Sequence, residues 1–384
     1  MGWRGAALNG LVVVVSIGVF LAVTEGVVRI LQARGRTYPL VYYETEDPAV
    51  TLWCYDEKLS SIPDYDLRKG SPYHRITWHG SEGLGPGLQD LPYTRVPLAL
   101  EVRNNADGFR ERPFEELATE RNLTLVVGDS FCFGQGVRAR DRLSDRLEGL
   151  WRARSPDASA RVANLCRASA DIEEIADILA SGLDRLPNAS RVLYVYNLND
   201  VIRSPSLQER QKYINDLMHL REYNVGQLLP FLLRPAGRSA AVRWAMYRIS
   251  RPRITLDTED WYRRLYADNP GWPETQRRIV EMDRLCRSRG MELIVAVFPI
   301  LHRLDDYPFT GIHAALTGFC AGHGIRCIDL LPAFRGLDAR TLWVHPTDFH
   351  PNHLAHARVA EFLAQAIGAD MTRTPPGPSD AKTP

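Results

Sequence analysis

Very little in this chain is concentrated. It has no run of basic residues and no RNA-binding signature. Its basic residues are nearly all Arg, scattered along 384 positions, and the formal net charge is +1. Nucleic acid is a poor partner for such a surface, because phosphate binding needs clustered positive charge. Cysteine is scarce as well. The six cysteines (Cys54, Cys132, Cys166, Cys286, Cys320, Cys327) contain no Cys-x-x-Cys pair. That spacing argues against a zinc site, while the even number permits disulfides without demanding them. No internal repeat is present. Charged residues make up 24% and hydrophobic residues 45%, an ordinary balance that allows a sizeable core.

The longest stretch without charge runs from Gly5 to Thr24 and includes "LVVVVSIGVFLAV". About 20 helical residues span about 30 Å, the thickness of a bilayer core. Glu25 and Arg29 come next at i,i+4 spacing, where they can pair near a membrane surface. A cleaved signal peptide is the rival reading, since the strictest apolar core is short and Arg4 precedes it. No clear small-x-small cleavage site is present after it, and "AVTEG" is a weak one, so residues 1–36 are read as a retained membrane anchor. Arg29, Arg34 and Arg36 after the segment outnumber Arg4 before it. That count slightly disfavours export of the downstream domain.

Residues 37–119 are rich in Tyr, Trp, Pro and Gly, show no helical period, and are expected to form an irregular extension. From about residue 120 short apolar runs alternate with helical segments. "LTLVV" (123–127), "RVANL" (161–165), "RVLYVY" (191–196), "ELIVAVF" (292–298) and "IRCIDL" (325–330) predict buried strands. Helices are expected at 141–154, 171–185, 309–322 and 352–367. Such alternation predicts a parallel sheet of about five strands covered on both faces, spanning 120–370. The region 201–290 is too long for a simple crossover and is expected to be a helical insertion. It could form a further layer on the core, a lid, or a surface resting on the membrane. The Pro-rich tail, 371–384, is expected to be disordered.

In open parallel sheets, sites form at the carboxyl ends of strands. "VVGDSFCFGQGV" places Ser130 just past the first such strand. Serine needs a base to become a nucleophile, and the base needs a carboxylate to orient it. "DFHPN" supplies His350 outside the last helix and Asp348 two residues earlier. His345, His350, His353 and His356 lie within twelve positions, but no acidic or thiol partner is spaced to complete a metal site. Cys132, two residues after Ser130, reads as a small buried residue.

Together, "GDSF" after the first strand, "YNLNDV" after the third and "DFHPN" before the last helix resemble the SGNH (GDSL-type) hydrolase superfamily. The resemblance covers about 120–370. It extends to a bacterial membrane-anchored branch through the N-terminal apolar segment and "NNADGFRERPF". It implies a flavodoxin-like α/β/α fold. Ser130 would be the nucleophile, His350 the base and Asp348 its acid, with an oxyanion hole from Ser130, Ser169 and Asn199. Three positions depart from the pattern. Ser169 and Asn197 stand where glycine is usual, and Thr347 stands where the acid usually is, with Asp348 one residue later. A backbone N–H survives a Gly-to-Ser change, but a φ angle reserved for glycine would not.

The resemblance implies a periplasmic, membrane-anchored serine esterase that needs no cofactor and no metal. Its substrates would be acyl or acetyl esters on carbohydrate or lipid. Two other functions fit the same motifs: an O-acyltransferase in polysaccharide modification, and a non-catalytic glycan-binding module.

Overall fold

The computed structural model describes residues 3–34, 41–45, 50–54, 73–78, 99–154, 160–218, 240–345 and 348–367. The tail from 371 onward lies outside them. Helix α1 (Trp3–Arg34) contains the apolar stretch Asn9–Ile30, with a mean hydropathy of 2.5. It is long and apolar enough to cross a membrane. Its apolar side chains face outward, Phe20 being 68% exposed. Near its end the pattern changes: Val28 is buried, and Glu25 Oε1 accepts from Arg29 Nε at 2.6 Å.

Four strands come next: β1 (Val41–Thr45), β2 (Val50–Cys54), β3 (Tyr73–Trp78) and β4 (Ala99–Arg103). They form an antiparallel sheet in the order β3-β1-β2-β4. Strand β4 lies in "LALEVRNNADGFRERPF", which reads as a strand and a turn in the sequence. The other three strands of the 37–119 extension are not legible there, because segments of five or six residues leave no helical period and give a weak signal of their own.

The main body begins after the single turn α2 (Phe114–Leu117). Its elements are β5 (Leu123–Gly128), α3 (Ser130–Phe133), α4 (Leu143–Arg154), β6 (Arg161–Asn164), α5 (Ile172–Arg185) and β7 (Ala189–Asn197). Three further helices are α6 (Pro205–Met218), α7 (Ala240–Ala267) and α8 (Gly271–Ser288). The chain closes with β8 (Glu292–Phe298), α9 (Thr310–Gly322), β9 (Arg326–Asp329), the hairpin β10 (Trp343–His345) and β11 (Asp348–Pro351), and α10 (His353–Ala366). Strands β5 to β9 make one parallel sheet in the order β6-β5-β7-β8-β9.

Alternation along these strands builds two cores, because successive side chains point to opposite faces. Leu125, Val127, Val192, Tyr194, Leu293 and Val295 meet α5, α8 and α9 on one face. Val126, Leu193, Val195, Ile294, Ala296 and Phe298 meet α4 and α10 on the other. The result is a three-layer α/β/α fold. The strands are continuously apolar because both faces are covered.

The described part of 201–290 is a helical layer whose α7 is tied to the first turn of α6 and which is tied to the loop after β7. Trp261 Nε1 donates to Leu207 O at 3.0 Å, Tyr266 Oη to Leu198 O at 2.9 Å, and Asn269 Nδ2 to Ile202 O at 2.7 Å. At the other end of α7, the Ala241 N–H donates to Glu25 Oε2 at 2.9 Å. Helix α1 therefore supplies an acceptor to the first turn of α7, where N–H groups lack partners of their own.

Candidate active site

Strand β5 ends at Gly128, with φ +150°. A Cβ there would lie 2.6 Å from Val195 O and 2.7 Å from Cys132 Sγ, so the chain can pass only as glycine. Asp129 caps α3, its Oδ1 accepting the Phe131 N–H at 2.9 Å. Ser130 is the first residue of that turn and is buried. Gly134, at φ +78°, ends the turn in the left-handed conformation.

His350 comes from the far end of the chain. Strands β10 and β11 pair antiparallel, with Asp348 opposite His345 and Pro351 opposite Trp343. Asn352 locks this hairpin to α10. Its Nδ2 donates to Thr341 O and Trp343 O at 2.9 and 3.1 Å, and its Oδ1 accepts the Leu354 and Ala355 N–H groups. His350 is half-buried, with its ring 5.6 Å from that of Phe131. Its Nε2 lies 2.8 Å from Ser130 Oγ. Two residues 220 apart in sequence thus meet in hydrogen-bonding geometry. Asp348 sits two positions before His350 on β11, at a strand position that shares its face. The Asp348 side chain and the whole of Thr347 lie outside the described residues.

Ser169 and Asn199 lie just past the ends of β6 and β7, on the same sheet edge as Ser130. Ser169 is exposed and has φ +67°. It therefore keeps the left-handed backbone that glycine would adopt, at a cost of about 1 kcal/mol. Neither the Ser130 N–H nor the Ser169 N–H has a partner among the described residues. Asn199 is half-buried, and its amide makes no hydrogen bond to any described residue.

Asn197 is fully buried beneath the turn that carries Ser130. Its Nδ2 donates to Asp129 Oδ2 at 3.0 Å, and its N–H to Asp200 Oδ2 at 3.1 Å. Tyr194 Oη donates to the same Asp200 oxygen at 2.9 Å. Burial raises the Asp129 carboxyl above its usual range. The Phe131 N–H, the charge of His350, the Asn197 amide and the Ser130 hydroxyl pull it back in part. Asp200 is pushed well up, first by burial and then by the charge of Asp129. Asn197 thus supplies a donor to the carboxyl that caps α3.

Cys132 is not merely a small buried residue. It forms a disulfide with Cys166, Cα–Cα 5.9 Å, which removes it as a nucleophile. Nor is His356 placed to serve a metal. It is fully buried, its Nδ1 accepts the Leu143 N–H at 3.2 Å, and burial together with the charge of Arg142 pushes its pKa down to about 3. Among the described residues no group of three or more His, Cys, Asp or Glu could hold a metal ion.

No protein-family model and no curated protein matches the chain. Solved structures do. TesA is 13% identical, with 64% of this chain and 98% of TesA covered, at a TM-score of 0.36. A catalytic mutant of Axe2, an acetylxylan esterase from Geobacillus stearothermophilus, is 14% identical, with 66% and 98% covered and a TM-score of 0.40. The lipase Lip_vut3 from a goat rumen metagenome is 14% identical, with 64% and 97% covered and a TM-score of 0.38. At these identities and TM-scores the likeness says nothing of what this chain acts on.

The sequence motifs point to Ser130, Ser169, Asn199, Asp348 and His350, but not to the contacts around them. Arg110, from "GFR", donates to Gly134 O and Val137 O at 2.9 and 2.8 Å. Glu111 Oε2 accepts the Asn164 N–H at 2.7 Å. Asn164 Nδ2 donates to Cys132 O at 2.8 Å. The short segment before β5 therefore braces the turn that carries Ser130. An Arg beside a Phe and a Gly carries no such signal when read alone.

Proposed function

We propose that this protein is a membrane-anchored serine esterase of the SGNH type, acting on acyl or acetyl esters of carbohydrate or lipid. The observation that carries the reading is the 2.8 Å contact between Ser130 Oγ and His350 Nε2 at the carboxyl edge of the sheet. His350 Nε2 takes the proton as Oγ attacks the ester carbonyl. It then returns that proton to the leaving alcohol. Asp348, on the same strand, fixes the imidazole tautomer and stabilises the imidazolium. Negative charge on the carbonyl oxygen meets the N–H groups of Ser130 and Ser169 and the Asn199 amide. One such donor is worth about 3 kcal/mol in the transition state. Water repeats the sequence to release the acid.

The main body is assigned to the periplasm. Support comes from the apolar helix and from the buried Cys132–Cys166 disulfide, a bond that persists in oxidising compartments. The Ser130–His350 hydrogen bond speaks against a degenerate glycan-binding module. A fluorophosphonate probe tests the reading on the purified full chain. Labelling should require both Ser130 and His350. Equal labelling of the wild type and Ser130→Ala would remove Ser130 as the nucleophile.

A further inference from the structure

Cys132 lies two residues after Ser130, and Cys166 three residues before Ser169. Their disulfide therefore joins the two strand exits that carry the two backbone donors of the oxyanion hole. Both cysteines are fully buried, and this is the disulfide found among the described residues. Gly128 belongs to the same arrangement, since a Cβ there would lie 2.7 Å from Cys132 Sγ. The glycine before Asp129 leaves room for the sulfur bridge as well as for β7.

Hydrogen bonds already hold the strands themselves. Leu165 N–H donates to Val126 O at 2.8 Å, and Arg167 N–H to Gly128 O at 3.0 Å. Asn164 adds two links, its Nδ2 to Cys132 O and its Oδ1 from the Cys166 N–H at 3.0 Å. The backbone ladder stops there. Beyond it lies Ser169, exposed and in a left-handed conformation that a non-glycine side chain resists. Oxyanion donors must be placed to a fraction of an ångström, and a misplacement of about 1 Å can cost about a hundredfold in rate. The disulfide is the covalent member nearest both donors.

We propose that Cys132 and Cys166 are positioning residues for ester hydrolysis: their bridge fixes the distance between the nucleophile turn and the Ser169 loop. This rests on the proposed hydrolase function. It makes a demand that simple stapling of the fold does not. Losing the bridge should weaken the response to the tetrahedral, negatively charged state while leaving ground-state binding and the His350 base in place.

The test uses the full chain in detergent, as wild type and as Cys132→Ala/Cys166→Ala, with an aryl acetate as substrate. A boronic acid that forms a tetrahedral adduct on Ser130 serves as the probe of the oxyanion site. The double variant should lose about tenfold to a hundredfold in kcat, with KM within about twofold. Boronate affinity should fall by the same factor, and the midpoint of the pH–rate profile should not move. A folded double variant with unchanged kcat and unchanged boronate affinity overturns the proposal. So does a loss that appears in KM alone.

Should the double variant fail to fold, the wild type is reduced with a phosphine under native conditions, and its thiols are counted by mass. Activity should then fall in step with reduction and return on reoxidation with oxidised glutathione. Complete reduction with full kcat overturns the proposal. A wild type without any Ser130-dependent turnover would instead sink the hydrolase reading, and this one with it.

Discussion

The strand ends that make up the site are built in two ways. The exits of β5 and β6 are held from several sides: by a disulfide, by Asn164, and by Arg110 and Glu111 from the preceding segment. The exit of β7 is held from below, where Asn197 and Tyr194 bind Asp200, yet Asn199 itself has no hydrogen-bond partner among the described residues. The contrast suits the proposed chemistry. In that reaction Ser130 must be in place before substrate arrives, and its turn is held from several sides. A side-chain donor for charge that appears only during reaction works best when nothing else occupies it.

Breaking the rigid side at its centre should have the largest effect. Ser130→Ala and His350→Ala should each lower kcat by about a millionfold, and the double variant should be little worse, because the two act as one unit. Steady-state kinetics on an aryl ester checks this; additive losses would separate them. Next comes Asp348→Asn, expected to cost about ten-thousandfold and clearly more than Thr347→Ala. A larger loss at Thr347 would reassign the acid.

The open side should respond more mildly. Asn199→Ala should lower kcat by about a hundredfold with little change in KM, since its bond forms mainly in the transition state. An unchanged kcat would remove Asn199 from the mechanism.

The smallest effect concerns stability outside the site. His356 is held neutral, with its pKa depressed to about 3, against about 6.5 in an unfolded chain. Between those values the unfolded state binds the extra proton, so stability falls as pH drops from about 6.5 toward about 3, by about 1.4 kcal/mol per pH unit. Above about pH 6.5 the residue contributes no pH dependence. In His356→Gln this slope should flatten in denaturant melts at pH 7, 5.5 and 4.5, while the His350-dependent rate profile keeps its shape. An identical slope in both proteins would show that other groups set the acid lability.

Much of this was legible in the sequence because it depends on local pattern. Parallel strands buried on both faces are apolar without interruption, and the five expected runs lie within two residues of the observed strands. Ser130, Ser169, Asn199 and His350 could be placed on one edge because each adjoins a strand end or the last helix. What escaped depends on tertiary partners. The Cys132–Cys166 pairing spans 34 residues, and connectivity cannot be deduced from spacing. Asp129 and Asp200 read as ordinary polar residues beside the motif, and only the closed sheet reveals them as buried carboxyls sharing Asn197. His350 and His356 look alike in "HPNHLAH". One meets a serine and the other a helix N-terminus only because α10 packs against α4.

The acceptor that Glu25 offers to the Ala241 N–H makes the N-terminal helix part of the folded body. Helix α7 has 28 residues and is about 42 Å long at about 1.5 Å per residue. One end rests on α1, and the other, through Tyr266, grips Leu198 next to Asn199. Helix α1 is thus a mooring rather than a leash. A body cut free of α1 by proteolysis would lose the acceptor at the head of α7, and its Asn199 loop would lose a brace that reaches back to the N-terminal helix.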